Sequence, residues 1–62
     1  MEKLTTGIDR AEKLAEELHE VLQRLVHEAK DYDAERVLKR SEAELMDLRH
    51  NLSLVKRLMK QQ

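Results

Sequence analysis

Apolar side chains recur at alternating steps of three and four residues along most of the chain, and this spacing breaks only once. Such steps place side chains on one face of an α-helix, and the heptad repeat they form is typical of helices that pack against other helices. The first half carries the repeat at Ile8, Ala11, Ala15, Leu18, Leu22, Leu25, Ala29 and Tyr32. The second half carries it at Ala34, Leu38, Ser41, Leu45, Leu48, Leu52, Val55 and Met59. The spacing therefore predicts an all-α protein with two long amphipathic helices.

The break in the repeat lies between Tyr32 and Ala34, which are only two residues apart. On one continuous helix this step would rotate the apolar stripe by about 200°. A chain reversal near residues 30–33 instead turns the two stripes toward each other. We therefore predict an antiparallel two-helix hairpin of coiled-coil type, forming a single domain over residues 1–62. Helix 1 is expected at about 6–30, the turn at about 31–33 and helix 2 at about 34–61; one unbroken helix about 80 Å long remains the alternative.

The turn and the helix ends have weak local signals. Asp31 and Asp33 can accept backbone hydrogen bonds at the start of helix 2. The segment Ser41-Glu42-Ala43-Glu44 is a competing start signal, since serine followed three residues later by glutamate can form a capping box. We interpret this match as accidental, because the second repeat already includes Leu38. At the front of the chain, Gly7 argues against a firm helix before it.

Composition excludes several classes of protein. The chain has no proline and no cysteine, one glycine (Gly7) and one aromatic residue (Tyr32). Sandwiches and barrels need repeated turns, and disulfide frameworks and cysteine zinc sites need thiols. No apolar run approaches the roughly 18 residues of a membrane span, and no signal-peptide core opens the sequence. We expect a small cytoplasmic protein that does not contact a membrane.

The apolar stripe is wider than one hairpin can cover. With Ile8 and Leu38 at heptad position a, Leu14 and Val21 occupy g and Val26 occupies e beside the first repeat. A lone hairpin buries only part of so broad a face, and a second copy would complete a dimeric four-helix bundle. The predicted protein-interface residues are Ile8, Leu14, Leu18, Val21, Leu22, Leu25, Leu38, Leu45, Leu48, Leu52, Val55 and Met59. The heptads leave open whether paired helices run parallel or antiparallel.

Charge is distributed unevenly between the two halves. Residues 1–35 carry ten acidic and five basic side chains, whereas residues 36–62 carry three acidic and seven basic ones. The halves therefore have net charges of −5 and +4, which sum to −1. Opposite charge favours helix 1 beside helix 2, although exposed ion pairs set orientation more than stability.

Chemical motifs give no sign of catalysis. The one metal-like pattern is a carboxylate three residues before a histidine, in Glu16–His19 and again in Asp47–His50. Di-iron bundles use such pairs, but they project the ligands into the bundle core. Here these residues and His27 fall at b, c, e and f, which we interpret as outward-facing positions. We expect no metal, cofactor or enzymatic activity, while histidines with an ordinary pKa of ~6.5 allow association to respond to mild acid.

A basic cluster at Arg36, Lys39 and Arg40 is the feature that favours nucleic-acid binding. Against it stand the slightly negative total charge and the absence of aromatic side chains on which bases could stack. We interpret the cluster as a solvated helix face. The sequence predicts a non-enzymatic oligomerisation or adaptor protein whose partner is itself, as a homodimer, or another helical protein. The alternatives are a small chaperone-like or inhibitor-like hairpin that binds a different protein, and a nucleic-acid-binding hairpin.

Overall fold

Two helices packed against each other make up the protein. The computed structural model describes residues 3–60, in which α1 spans Leu4–Glu28 and α2 spans Tyr32–Lys60, without strands. The Cα atoms extend over 47 × 19 × 14 Å. A single helix through the chain would be about 80 Å long, so these dimensions exclude it. The predicted all-α two-helix hairpin is confirmed.

Polar contacts between the helices define an antiparallel register. Glu12 Oε1 lies 3.0 Å from Lys56 Nζ, and His19 Nδ1 lies 2.9 Å from Arg49 Nη1. The step of seven residues forward along α1, from Glu12 to His19, matches a step of seven residues back along α2, from Lys56 to Arg49. The two helices therefore run antiparallel.

The turn lies at residues 29–31, two residues earlier than the predicted 31–33. Ala29 leaves α1 in an extended conformation, with φ −66° and ψ 127°. Asp31 then starts α2: its carboxylate Oδ1 accepts a hydrogen bond from the backbone N–H of Asp33 at 3.1 Å. Its carbonyl accepts one from Glu35 at 2.9 Å. No described residue has a positive φ, which explains why this reversal needs no glycine.

Replacing Asp31 with alanine is expected to destabilise the hairpin by about 1 kcal/mol, the usual cost of losing an N-terminal cap. The loss arises because the amide of Asp33 would no longer have an acceptor from the chain. Urea denaturation followed by circular dichroism measures the change, and Asp31→Asn should restore most of the stability. Equal stability of all three proteins would contradict this role for Asp31.

The start of α1 differs from the sequence-based expectation of about residue 6, whereas Ser41 lies inside α2 as the interpretation of its capping match required. α1 begins at Leu4, before Gly7, whose amide donates to the Lys3 carbonyl at 3.0 Å. A single glycine therefore does not prevent the first turn from forming. Ser41 lies inside α2, where its hydroxyl donates to the Val37 carbonyl at 3.1 Å. The predicted end of helix 2 at about residue 61 lies outside the described residues.

The helices contact each other through positions a and e rather than through a and d. Within residues 3–60 only Ala15 and Leu45 are buried, and both occupy a. The half-buried residues on either side include His19 and Arg49 at e. Leu18 at d remains 48% exposed and Leu48, also at d, 49%. Each helix is therefore rotated so that one edge of its apolar stripe contacts the other helix and the rest faces outward.

Candidate protein-interaction face

Large apolar side chains remain exposed along one side of the hairpin. Most of those in the described part of the chain occupy d and g positions, which adjoin each other on a helix. We call this surface the d/g face; it comprises Leu4, Leu14, Leu18, Val21 and Leu25 of α1 and Val37, Leu48, Val55 and Leu58 of α2. Contiguous exposed apolar surface is a feature by which interaction sites are recognised, so the d/g face is the candidate site.

The two helices share the middle of the d/g face. An apolar groove runs between them there, lined by Ala11, Leu14, Ala15, Leu18, Leu45, Leu48 and Leu52. Small residues on α1 lie opposite leucines on α2, so the floor of the groove is formed by the hairpin contact itself. The rows then continue at heptad spacing from Leu14 to Val21 and from Leu48 to Val55. The face is therefore continuous across both helices.

The predicted interface residues divide into two groups. Leu45 is buried and five others are half-buried between the helices, namely Ile8, Leu22, Leu38, Leu52 and Met59. The remaining six are exposed on the d/g face, namely Leu14, Leu18, Val21, Leu25, Leu48 and Val55. Tyr32 does not extend the first repeat as expected, because it is the first residue of α2 and is 76% exposed.

The opposite side of the hairpin is polar. Lys56 Nζ lies 2.8 Å from Asp9 Oδ1 and 3.0 Å from Glu12 Oε1, and the Ser53 hydroxyl lies 3.5 Å from Glu12 Oε2. Hydrogen bonds from Lys56 to Asp9 and then to Glu12 raise the pKa of its ammonium above the ordinary 10.5. Because its pKa is raised, the Lys56 ammonium contributes stability below pH 10.5. This contribution is lost only as the pH rises through the raised pKa. The link between the helices therefore persists at neutral pH.

His19 lies at this polar edge, between the helices, and not on the outward surface where the sequence interpretation put it. Its ring is half-buried, and Nδ1 accepts a hydrogen bond from Arg49 at 2.9 Å. Position e faces the other helix here because both helices are rotated toward their a/e sides. His27 and His50 are exposed, as are Glu16 and Asp47.

The sequence signal for these contacts was present but was interpreted differently. Glu12 and His19 are one heptad apart on α1, and Arg49 and Lys56 are one heptad apart on α2. Two polar pairs with the same spacing predict one antiparallel register when position e is assigned to the hairpin contact. With d assigned to that contact, position e was expected to face outward, and the two polar pairs were not predicted.

The basic cluster near the turn is partly paired within its own helix. Arg36 Nη2 lies 3.8 Å from Asp33 Oδ1, and Lys39 Nζ lies 3.0 Å from Glu35 Oε1. Two of its three cations thus have a carboxylate one turn away. This pairing reduces the positive field that a phosphate backbone would meet.

Two shallow depressions on the polar side are lined by charged and hydroxyl groups. One contains Glu12, Met46, Arg49, His50 and Ser53. The other contains Glu12, Ser53, Lys56, Arg57 and Lys60. Over residues 3–60, no three histidine or acidic side chains converge in a way that could hold a metal ion. The extended geometry of the d/g face suits contact with another helix more than the enclosure of a small ligand.

Neither α1 nor α2 is long and apolar enough to cross a membrane. Comparison of the chain with protein-family models, with curated proteins and with solved structures found no match.

Proposed function

We propose that this chain is a non-enzymatic oligomerisation protein whose d/g face binds the d/g face of a second copy, forming a dimeric four-helix bundle. The observation that carries the proposal is the continuous apolar row on both helices, from Leu14 to Leu25 and from Leu48 to Leu58. A face that both helices share accommodates two helices of a partner at once. Such a bundle would be an adaptor in the sense that it holds two chains together.

The angle between the two faces of each helix supports this assembly. At about 100° per residue, the centre of the a/e face lies about 110° from the centre of the d/g face. A helix at the corner of a four-helix bundle contacts two neighbours at roughly a right angle. Each helix of the hairpin already has one neighbour on its a/e side. A second copy would supply the other neighbour in the direction that the bundle requires.

The exposed area of the hairpin also favours a second copy. A compact folded chain of this mass exposes about 4,200 Å², whereas the hairpin exposes 5448 Å². The excess of about 1,200 Å² exceeds the roughly 800 Å² that each partner loses in a standard stable interface. A face-to-face dimer can therefore remove the excess without a further protein. The polar edge with Lys56 and Arg49 lies on the other side and stays in water.

Sedimentation equilibrium across a concentration series tests the proposal, with helicity measured by circular dichroism on the same samples. We expect the mass to approach that of two chains, and the helicity to increase with it, because only two residues of the described hairpin are buried without a partner. The alternative function, a hairpin that covers the same face with a different protein, predicts a chain that stays monomeric and weakly helical, or aggregates. A monomer at high concentration with full helicity would contradict self-association.

A further inference from the structure

The polar edge contains one contact whose chemistry depends on a proton. Arg49 Nη1 and His19 Nδ1 are 2.9 Å apart. A guanidinium has donors only, so Nδ1 must accept and must carry a free lone pair. A hydrogen bond between the two groups therefore requires the neutral imidazole with its proton on Nε2. A second proton on the ring would occupy the lone pair and would place two cations in contact.

We propose that the His19–Arg49 contact is a proton-sensitive clamp between the helices, and that its loss in mild acid weakens assembly through the d/g face. This inference rests on the proposed function for its effect on assembly. The clamp itself is a property of the single hairpin, so the two can be tested separately.

The position of the clamp links it to the d/g face. His19 directly follows Leu18, and Arg49 directly follows Leu48; both leucines line the groove. The two buried residues, Ala15 and Leu45, each lie one turn before a clamp residue. Separation of the helices at the clamp would therefore widen the groove at its centre, where a second copy must fit against both leucines.

The other charged groups around the ring do not replace the clamp. On α2, Asp47 and His50 lie close to Arg49 in sequence but are exposed, and Glu42 and Lys56 lie one heptad away on either side. Lys56 is held by Asp9 and Glu12 of α1.

On α1, Glu20 and Glu17 are the carboxylates nearest to His19 in sequence, followed by Glu16, and all three are exposed. Their carboxylates can accept a hydrogen bond from the protonated imidazole of His19. Such an ion pair lies within α1 and does not connect the two helices. A protonated His19 that pairs with one of these α1 carboxylates therefore loses its link to α2. Glu12, the α1 carboxylate that lines a depression with Arg49, is already engaged by Lys56.

The test measures dimer dissociation constants by sedimentation at about pH 7.5 and about pH 5.5, the range in which histidine changes charge. For the natural chain we expect the constant to rise at least about tenfold in acid, the change that corresponds to one charge-assisted hydrogen bond. His19→Gln keeps an acceptor that does not titrate, so its ratio between the two pH values should stay within about twofold. The matched control His50→Gln, which changes an exposed ring, should keep the tenfold dependence.

The outcomes separate the two proposals. An equal pH response in the natural chain and in His19→Gln, or none in the natural chain, overturns the clamp. A chain that is monomeric at both pH values overturns self-association, and the clamp is then decided by the urea midpoint of the hairpin. That midpoint should fall in acid for the natural chain and His50→Gln, but not for His19→Gln.

Discussion

Replacing Leu48 with aspartate is expected to abolish dimer formation. Leu48 lies in the centre of the d/g face, where it lines the groove with Leu18 and remains 49% exposed in the single hairpin. In the proposed bundle a second copy covers this position, so the new carboxylate would be desolvated without a partner. That costs several kcal/mol and should raise the dissociation constant by more than about a hundredfold. Sedimentation equilibrium measures the loss of the dimer.

Met46→Asp is the matched control for this variant. Met46 belongs to the same helix and is equally exposed, at 49%, but it lines the depression on the polar side with Arg49 and His50. The control should therefore dimerise within about threefold of the natural chain, because its carboxylate stays in water. If both variants dimerise equally well, or if both fail to the same degree, the d/g face is not the interface.

A second large effect is expected inside the hairpin. Leu45→Asp should unfold the chain at any concentration, because Leu45 is 5% exposed between the helices. A carboxylate there would adjoin the apolar groove lined by Leu18 and Leu52. The nearest cation along α2, Arg49 one turn on, already contacts His19. Burial of the unpaired carboxylate costs several kcal/mol, which is comparable with the whole stability of a small domain. Circular dichroism should show the loss of most of the helical signal.

Ala43→Asp is the control for this second variant. Ala43 is exposed on the same helix, so an aspartate there only lowers helix propensity, by about 0.7 kcal/mol. We expect the control to remain helical. A folded Leu45→Asp protein would contradict the placement of Leu45 in the contact between α1 and α2.

The helical hairpin could be predicted from the spacing of apolar residues alone. The two repeats are out of phase by two residues, and on one continuous helix this would place the two stripes on nearly opposite sides. The phase shift survives although Tyr32 itself belongs to α2. The turn lies two residues earlier in the chain than the sequence predicted. Its start depends on which of two nearby aspartates accepts the first backbone hydrogen bonds, and both have the residue type that can do so.

The candidate face could be predicted only in part. The sequence analysis placed Leu14 and Val21 at g, outside what one hairpin can cover, but it assigned Leu18 and Leu48 at d to the same contact as Leu22 and Leu45. One helix touches its neighbour over a limited arc, so a stripe that covers a, d and g, about 120° wide, cannot be buried by a single partner. Periodicity gives the width of the stripe without saying which edge faces inward.

The sequence by itself determined the two helices and the presence of a chain reversal, because backbone periodicity and phase are local properties of the chain. The tertiary structure decided the rotation of each helix about its own axis. That rotation depends on pairs far apart in sequence: Glu12 with Lys56, and His19 with Arg49. Because these polar groups meet at the a/e edge, Leu18 and Leu48 face water. They form part of the surface that we propose a second copy covers.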